Sequence, residues 1–160
     1  MLRRMTIQDS RESRTPRVLF ICIRNSARSQ MAEAFLKRAC PGKVYVESAG
    51  LEPGVINPLA IATMQELGID ISNNSTQNVF DVFKAGKLFS HVITVCDEAS
   101  AKACPIFPGI VTRLNWDIPD PAALTGTWDE QLEAVRPIRQ TISDRVDALC
   151  ENLCHLANAS

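Results

Sequence analysis

The feature that most constrains this chain is an apolar run that ends in a cysteine and leads through a short polar loop into a helical pattern. The run Arg17–Cys22 reads RVLFIC and lies between Pro16 and the loop 23–27. A short apolar run bounded in this way is typical of a buried strand in a parallel sheet. Beyond the loop, apolar residues recur at near-helical spacing until Pro41-Gly42. The sequence therefore predicts a strand, a tight loop and a helix.

The alternation of strand and helix patterns continues along the chain. Further strands are predicted at 43–48, 91–96 and 111–116, and further helices at 58–67, 79–87 and 128–157, the last interrupted or kinked near Pro137. This order favours an α/β fold, with a doubly wound parallel four-stranded sheet and helices on both faces. We expect one domain, residues 17–160, preceded by a flexible N-terminal tail at 1–16 that is rich in arginine.

Composition excludes several classes of protein. A chain of 160 residues has room for one compact domain. Its formal net charge of −1 gives no electrostatic reason to expect nucleic acid as a partner. The longest apolar run, Val18–Ile23, is far below the ~18–20 residues of a membrane-spanning helix. The N-terminus lacks the apolar centre of a secretory signal, so we expect a cytoplasmic protein without a membrane partner, in which all six cysteines are reduced.

The loop after Cys22 has the length and composition of an oxyanion cradle. Five residues separate Cys22 from Arg28, about enough for the chain to curl so that successive backbone amides point at a tetrahedral anion. The cradle opens onto a helix N-terminus, and both features stabilise Cys22 as a thiolate nucleophile. The residues expected to bind the oxyanion are Ile23, Arg24, Asn25, Ser26, Ala27, Arg28 and Ser29.

Individual side chains of this loop suggest particular roles. The planar fork of Arg28 suits two oxygens of the anion, and the hydroxyl of Ser29 can donate a hydrogen bond to the thiolate. Asn25 fits a left-handed backbone position. Arg24 either strengthens anion capture or points to solvent.

The segment Val18–Glu33, VLFICIRNSARSQMAE, resembles the signature of low-molecular-weight protein tyrosine phosphatases and of the arsenate reductases built on the same fold. The resemblance extends through short motifs over roughly residues 17 to 152. It implies the low-molecular-weight phosphatase fold, with Cys22 as the nucleophile. It also implies that Asp120, in the pair Asp120-Pro121, is the general acid, and Asp117 is a weaker alternative.

Two features favour the reductase branch of this family. Ala122-Ala123-Leu124 stands where the phosphatases usually carry the aromatic side chains that clamp a phosphotyrosine ring. In addition, Cys96 and Cys104 resemble the paired cysteines of thioredoxin-coupled arsenate reductases, although their spacing of eight is one longer than in the best-known form of that segment.

The resemblance implies arsenate reduction, and thus arsenic detoxification, by a relay through Cys22, Cys96 and Cys104 that thioredoxin regenerates without any bound cofactor. Phosphate and sulfate are the expected competing oxyanions, and glutaredoxin with glutathione is the alternative donor. Two other functions remain open. One is a tyrosine phosphatase using Cys22, Arg28 and Asp120, and the other is an oxyanion or redox sensor without turnover.

The last step of such a relay sets a geometric condition. If residues 96–104 formed one regular helix, the two cysteine Cα atoms would lie about 12 Å apart, whereas a disulfide needs roughly 4.4–6.8 Å. The segment must therefore bend or unwind.

No metal is expected. Some reductases of this family bind potassium through residues that match Asn25, Glu33 and Ser48, but Gln77 stands where we align their remaining carboxylate. Cys150 and Cys154, next to His155, have a spacing that suits a metal. Without further ligands nearby in sequence, they are interpreted as one packed face of a helix, and Cys40 as structural.

Overall fold

The structure is a computed structural model that describes residues 15–158. The predicted flexible tail therefore lies outside the described residues, apart from its last two. The elements in chain order are β1 (Arg17–Cys22), α1 (Arg28–Ala39), β2 (Tyr45–Gly50), α2 (Pro58–Gln65), α3 (Val79–Lys84), β3 (His91–Thr94), α4 (Glu98–Ala101), β4 (Thr112–Asn115), a 3₁₀ turn (Pro121–Ala123) and α5 (Trp128–Asn158).

The four strands form one parallel sheet in the order β2-β1-β3-β4, which confirms the predicted fold class. Strand β1 is central, and its Ile21 pairs with Ala49 on one side and Thr94 on the other. The chain runs from β1 to β2 in one direction and later returns to β3 on the opposite side of β1. The carboxyl end of β1 is therefore the switch point at which such sheets bind ligands.

Side chains of β1 alternate between two apolar layers, so the helices cover both faces of the sheet. On one face, Val18, Phe20 and Cys22 join a large core cluster to which α1, α2 and α5 contribute. On the other face, Leu19 and Ile21 pack with residues of α3 and with Phe89 and Phe107. Apart from Arg17 at its start, the strand that presents the loop is buried, which gives the loop a rigid base.

Capping residues place the helices that flank the loop. The side chain of Asn57 accepts a hydrogen bond from the Leu59 amide at 2.9 Å, and Pro58 occupies the first turn of α2. The helix ends two residues earlier than predicted, because the Leu67 amide bonds the carbonyl of Met64 at 3.0 Å in a tighter turn before Gly68. Helix α3 is also shorter than predicted and begins at an asparagine cap, Asn78.

Helix α5 continues through Pro137, so the predicted interruption is wrong, while the alternative of a kink stays a prediction. A proline in a helix interior costs about 3 kcal/mol through one lost hydrogen bond and a steric clash. An apolar stripe on both sides of it is buried, and each such side chain contributes roughly 1.5–3 kcal/mol. The stripe consists of Val135, Ile138, Ile142, Val146, Leu149 and Leu153. Packing therefore outweighs the local penalty. Within residues 15–158, neither α5 nor any other helix combines the length and apolarity of a membrane span.

Candidate active site

The loop between β1 and α1 turns its carbonyl groups away from the cleft above the sheet. Amides of the segment 51–57 bond four of these carbonyls at 2.8–3.1 Å, those of Cys22, Ile23, Arg24 and Ser26. Because the N–H and C=O of a peptide unit point in opposite directions, the amide-bearing side of the loop faces the cleft. The amide of Asn25 lies 3.1 Å from the Cys22 sulfur, and the full ring of oxyanion donors stays a prediction.

Asn25 holds the loop in shape from the inside. It has a φ of 53° and is completely buried, which confirms the expected left-handed position. Its Nδ2 donates to the hydroxyls of Ser29 at 2.8 Å and Ser48 at 2.9 Å. Its Oδ1 accepts the backbone amide of Gln77 at 3.0 Å. Every polar atom of this side chain is therefore engaged.

The Ser29 hydroxyl lies 2.9 Å from the Cys22 sulfur and is buried with it. A thiolate has no proton to give, so in the reactive state Ser29 is the donor. The same oxygen accepts from Asn25, and that fixes the direction in which its own hydrogen points. Ser29 and the Asn25 amide together supply two hydrogen bonds to a sulfur anion.

Gly50, at the end of β2, allows the loop to approach the sheet. A Cβ at this position would lie 2.7 Å from the amide nitrogen of Asn25 and 2.9 Å from the carbonyl oxygen of Ile23. Both contacts are with backbone, which cannot rotate away. The close approach therefore requires glycine here, a requirement that the sequence analysis did not derive.

Arg28 and Asp120 lie at the mouth of the cleft. Arg28, which is 6% exposed, donates from Nη1 to the carbonyl of Ile118 at 3.0 Å. Its Nη2 is 3.7 Å from Oδ2 of Asp120. Asp120 in turn caps the 3₁₀ turn by accepting the Ala122 amide at 3.0 Å, so its carboxylate is held at a fixed position.

The cleft is lined by Cys22, Arg24, Ser26, Ala27, Arg28, Asp120 and Ala122. Asp120 lines it and Asp117 does not, which favours Asp120 as the acid. Arg24 is exposed yet contributes to the lining, so its charge faces both the cleft entrance and solvent. At the rim, Ala122 presents a methyl group where an aryl clamp would need a ring.

The structure places Cys96 at the edge of the sheet that holds Cys22, with Cys104 within electrostatic range of both. Cys96 follows β3, the neighbour of β1, and it is completely buried. Burial raises the pKa of Cys96 to about 11, against a partial opposing effect of the Arg28 charge. Burial likewise raises the pKa of Cys104 to about 11, and charge on Cys96 or Cys22 raises it further. All three relay cysteines are free thiols.

The segment between Cys96 and Cys104 is only briefly helical. Helix α4 has four residues, none of them buried. Asp97 caps its start, and the carboxylate of Asp97 accepts hydrogen bonds from the Ser100 amide at 3.2 Å and the Ser100 hydroxyl at 2.6 Å. The chain then turns, and the Cys104 amide bonds the carbonyl of Ala101 at 3.2 Å. The segment therefore bends, as the relay requires, and little structure has to be lost for it to move.

The residues aligned with a potassium site form a network of hydrogen bonds and ion pairs. The Ser48 hydroxyl donates to Glu33 at 3.3 Å, and Lys37 lies 3.5 Å from the same carboxylate. Gln77 donates to Glu47 at 3.3 Å, and Lys87 lies 2.9 Å from that carboxylate. Both carboxylates thus have an ammonium partner. The absence of a metal at this position stays a prediction.

The other cysteines depart from the expectation that all six are reduced. Cys40 and Cys150, which are 110 residues apart in sequence, form a disulfide with a Cα–Cα distance of 6.1 Å. Cys154 is a free thiol beside it. No sequence signal predicts this cluster, because the spacing of Cys150 and Cys154 says nothing about a partner at the end of α1.

Gln30 is a further residue whose role the sequence analysis missed. It is buried, and its Nε2 donates to the carbonyls of Asn25 at 3.1 Å and Ser75 at 3.2 Å. It therefore ties the loop to the segment before α3. Its only sequence signal for a role in the site is its place within the segment 18–33, which resembles the family signature.

Comparison with known proteins shows the family of this chain. A family model described as low molecular weight phosphotyrosine protein phosphatase matches residues 17–158. The arsenate reductase of Bacillus subtilis is 37% identical over 135 residues, which cover 84% of this chain and 94% of that protein.

Solved structures give the same result. An arsenate reductase in an oxidized state has a TM-score of 0.73 at 33% identity, over 86% of this chain and 98% of the other. A thioredoxin-dependent arsenate reductase from Corynebacterium glutamicum has a TM-score of 0.65 at 30% identity, over 87% of this chain and 62% of that one. The relatives compared above are arsenate reductases, and the chain belongs to the low molecular weight phosphotyrosine protein phosphatase family.

Proposed function

We propose that this protein is an arsenate reductase that converts arsenate to arsenite through Cys22, Cys96 and Cys104. The observation that carries the proposal is the position of two more free thiols. Cys96 directly follows β3, the neighbour of β1, and Cys104 is close enough for charge on Cys96 or Cys22 to raise its pKa. A phosphatase needs the cradle, the arginine and the acid. Only a two-electron reduction also needs further sulfur atoms.

In the first step, the Cys22 thiolate attacks the arsenic atom of arsenate held in the loop. The loop amides and Arg28 stabilise the negative charge of the oxygens. A sulfur–arsenic bond forms and an arsenic–oxygen bond breaks. Asp120 donates its proton to the departing oxygen, which leaves as water.

In the second step, Cys96 attacks the sulfur of Cys22 rather than the arsenic. The electron pair of the sulfur–arsenic bond passes to arsenic, which is reduced from the +5 to the +3 state and leaves as arsenite. The two sulfur atoms are oxidised to a Cys22–Cys96 disulfide. Burial keeps the Cys96 thiol neutral, so its proton leaves as the sulfur attacks and is taken up by an oxygen of the departing arsenite.

In the third step, Cys104 attacks the Cys96 sulfur and releases Cys22 as a thiolate. Oxidation then resides in a Cys96–Cys104 disulfide at the bend that follows β3. The short helix α4 exposes all or part of each of its side chains, so this segment is accessible to a protein dithiol. We propose thioredoxin as the donor of two electrons and two protons, with glutaredoxin and glutathione as the alternative, and the cytoplasm as the reducing compartment.

Phosphate and sulfate share the tetrahedral geometry and charge of arsenate, so we expect both to compete for the loop. Because of this shared geometry, phosphate-ester hydrolysis is the second candidate function. Cys22, Arg28 and Asp120 are sufficient for phosphate-ester hydrolysis. Because Ala122 presents only a methyl group at the rim, we expect such hydrolysis to act on small esters, or on esters bound weakly, rather than on a phosphotyrosine peptide.

The test follows NADPH oxidation with thioredoxin, thioredoxin reductase and arsenate. Wild type is compared with Cys22→Ser, Cys96→Ser and Cys104→Ser, and with Cys154→Ser as a matched control from outside the site. We expect each relay variant to abolish turnover and the control to retain it. If wild type instead shows no arsenate-dependent oxidation but hydrolyses an aryl phosphate through Cys22, the protein is a phosphatase and the proposal is wrong.

A further inference from the structure

Three cysteines that take no part in the relay meet between α1 and α5. Cys40 ends α1, while Cys150 and Cys154 are one helical turn apart on the same side of α5. The sulfur of Cys154 lies 3.8 Å from that of Cys40 and 4.0 Å from that of Cys150. All three sulfur atoms lie within 4.8 Å of one another.

This cluster, Cys40/Cys150/Cys154, offers three sulfur ligands. Among the side chains that the structure describes, no histidine, aspartate or glutamate joins the group. Structural zinc requires four ligands in a tetrahedron, of which this site offers three. Soft thiolates prefer soft ions. An ion whose coordination shell is filled by three sulfur bonds suits this site better than zinc, which needs four ligands. Trivalent arsenic is such an ion, because its lone pair occupies the fourth position.

Charge gives a second, independent reason. Three thiolates carry a charge of −3, so a trivalent centre makes the complex neutral, whereas a divalent ion leaves it at −1. Cys40 is only 2% exposed, belongs to the core cluster and caps the carboxyl end of α1, which is the negative end of the helix dipole. A net negative charge is unfavourable in a buried site at the negative end of a helix dipole, whereas a neutral complex avoids this cost.

We propose that Cys40, Cys150 and Cys154, once reduced, form a binding site for trivalent arsenic, separate from the active site. A thiol or phosphine reductant first supplies two electrons and two protons to the Cys40–Cys150 disulfide. Arsenous acid, As(OH)₃, then exchanges its three hydroxyls for three sulfur bonds and releases three water molecules, without any change in oxidation state. The choice of arsenic as the occupant rests on the proposed function, whereas the three-sulfur geometry does not.

The test uses the full chain with Cys22→Ser, Cys96→Ser and Cys104→Ser combined, so that the relay can neither bind arsenic nor turn over. The protein is reduced with a phosphine, titrated with arsenite and weighed by native mass spectrometry. We expect one arsenic per chain and a mass gain of one arsenic atom minus three protons. Adding Cys154→Ser is expected to weaken binding by about tenfold or more, and an equal excess of Zn²⁺ is expected not to displace the arsenic.

Three results would overturn the proposal: no bound arsenic, a mass gain that corresponds to two protons lost, or unchanged affinity with Cys154→Ser. Circular dichroism of each variant shows whether it is folded. Wild type offers a second measurement that needs no variant, because arsenite should protect Cys40, Cys150 and Cys154 from alkylation. Since neither assay needs turnover, failure of the reductase assay and failure of this site are distinguishable.

Discussion

Arg28 and Asp120 form an ion pair at 3.7 Å across the mouth of the loop, although one residue begins α1 and the other precedes the 3₁₀ turn. The Asp120 side chain is 44% exposed, and an ion pair so open to water contributes little to stability. The ion pair instead fixes the position of the Asp120 carboxylate. Arg28, which we propose binds the oxyanion, also holds the proposed acid beside it.

Replacing Asp120 should therefore affect chemistry and not stability. We expect Asp120→Asn to lower kcat for arsenate by about 10²- to 10⁴-fold, the usual contribution of a general acid, with a melting temperature close to that of wild type. Asp117→Asn is the matched control and should keep near wild-type kcat. Equal losses in the two variants, measured in the thioredoxin-coupled assay, would show that Asp120 is not the acid.

The contact of Gly50 with the loop predicts a severe local effect of one methyl group. Gly50→Ala places a Cβ 2.7–2.9 Å from three backbone atoms. We expect a loss of roughly 1–3 kcal/mol in the free energy of unfolding from overpacking, together with much weaker phosphate binding in calorimetry.

Gly54→Ala is the control, since its Cβ would meet only the Arg24 side chain at an ordinary 3.8 Å. Unimpaired phosphate binding by Gly50→Ala would contradict the requirement for a close approach.

The raised pKa of Cys96 predicts a pH dependence. With a pKa of about 11, only roughly one Cys96 in ten thousand is ionised at pH 7, and this fraction grows tenfold for each unit of pH. The rate of Cys22–Cys96 disulfide formation in a single turnover should rise with the same slope between about pH 6 and 8.

The rate is measured by quenching with acid and separating the oxidised protein. The control is the rate of iodoacetamide alkylation of Cys22 in the Cys96→Ser variant at the same pH values. This rate reports how the ionisation of Cys22 itself changes with pH. A disulfide-forming rate with no pH dependence beyond that of the control would contradict this account.

Pro137 should be a stability penalty that packing overcomes. It is exposed and lies inside α5, so Pro137→Ala restores a helical hydrogen bond without leaving a cavity. We expect the free energy of unfolding to rise by about 1–3 kcal/mol. The exposed Gln140 gives a control, since Gln140→Ala should change it by less than about 0.5 kcal/mol. A destabilising Pro137→Ala would mean that the proline shapes the helix for its contacts.

The sequence was most informative where local pattern and chemistry coincide. The apolar strand, the five-residue loop and the left-handed Asn25 follow from neighbouring residues, and the structure contains all three. Element ends were less accurate, because they depend on which turn closes each helix, as at Leu67.

Features that join distant parts of the chain could not be predicted. The Cys40–Cys150 disulfide links residues with no sequence signal in common. The need for glycine at position 50 arises from a loop more than twenty residues away. Likewise, the helix passes through Pro137 because of a core stripe whose burial is a property of the whole fold.

The burial of Cys96 and Cys104 also has a consequence for a cell under oxidative stress. Hydrogen peroxide reacts with thiolates that it can reach. It converts them first into a sulfenic acid, which thiols can still reduce, and then into sulfinic and sulfonic acids that thioredoxin does not restore. Raised pKa values keep both resolving cysteines in the neutral thiol form, and Cys96 is completely out of contact with solvent. Oxidative damage should therefore spare these two sulfur atoms until an arsenic adduct on Cys22 commits them to react.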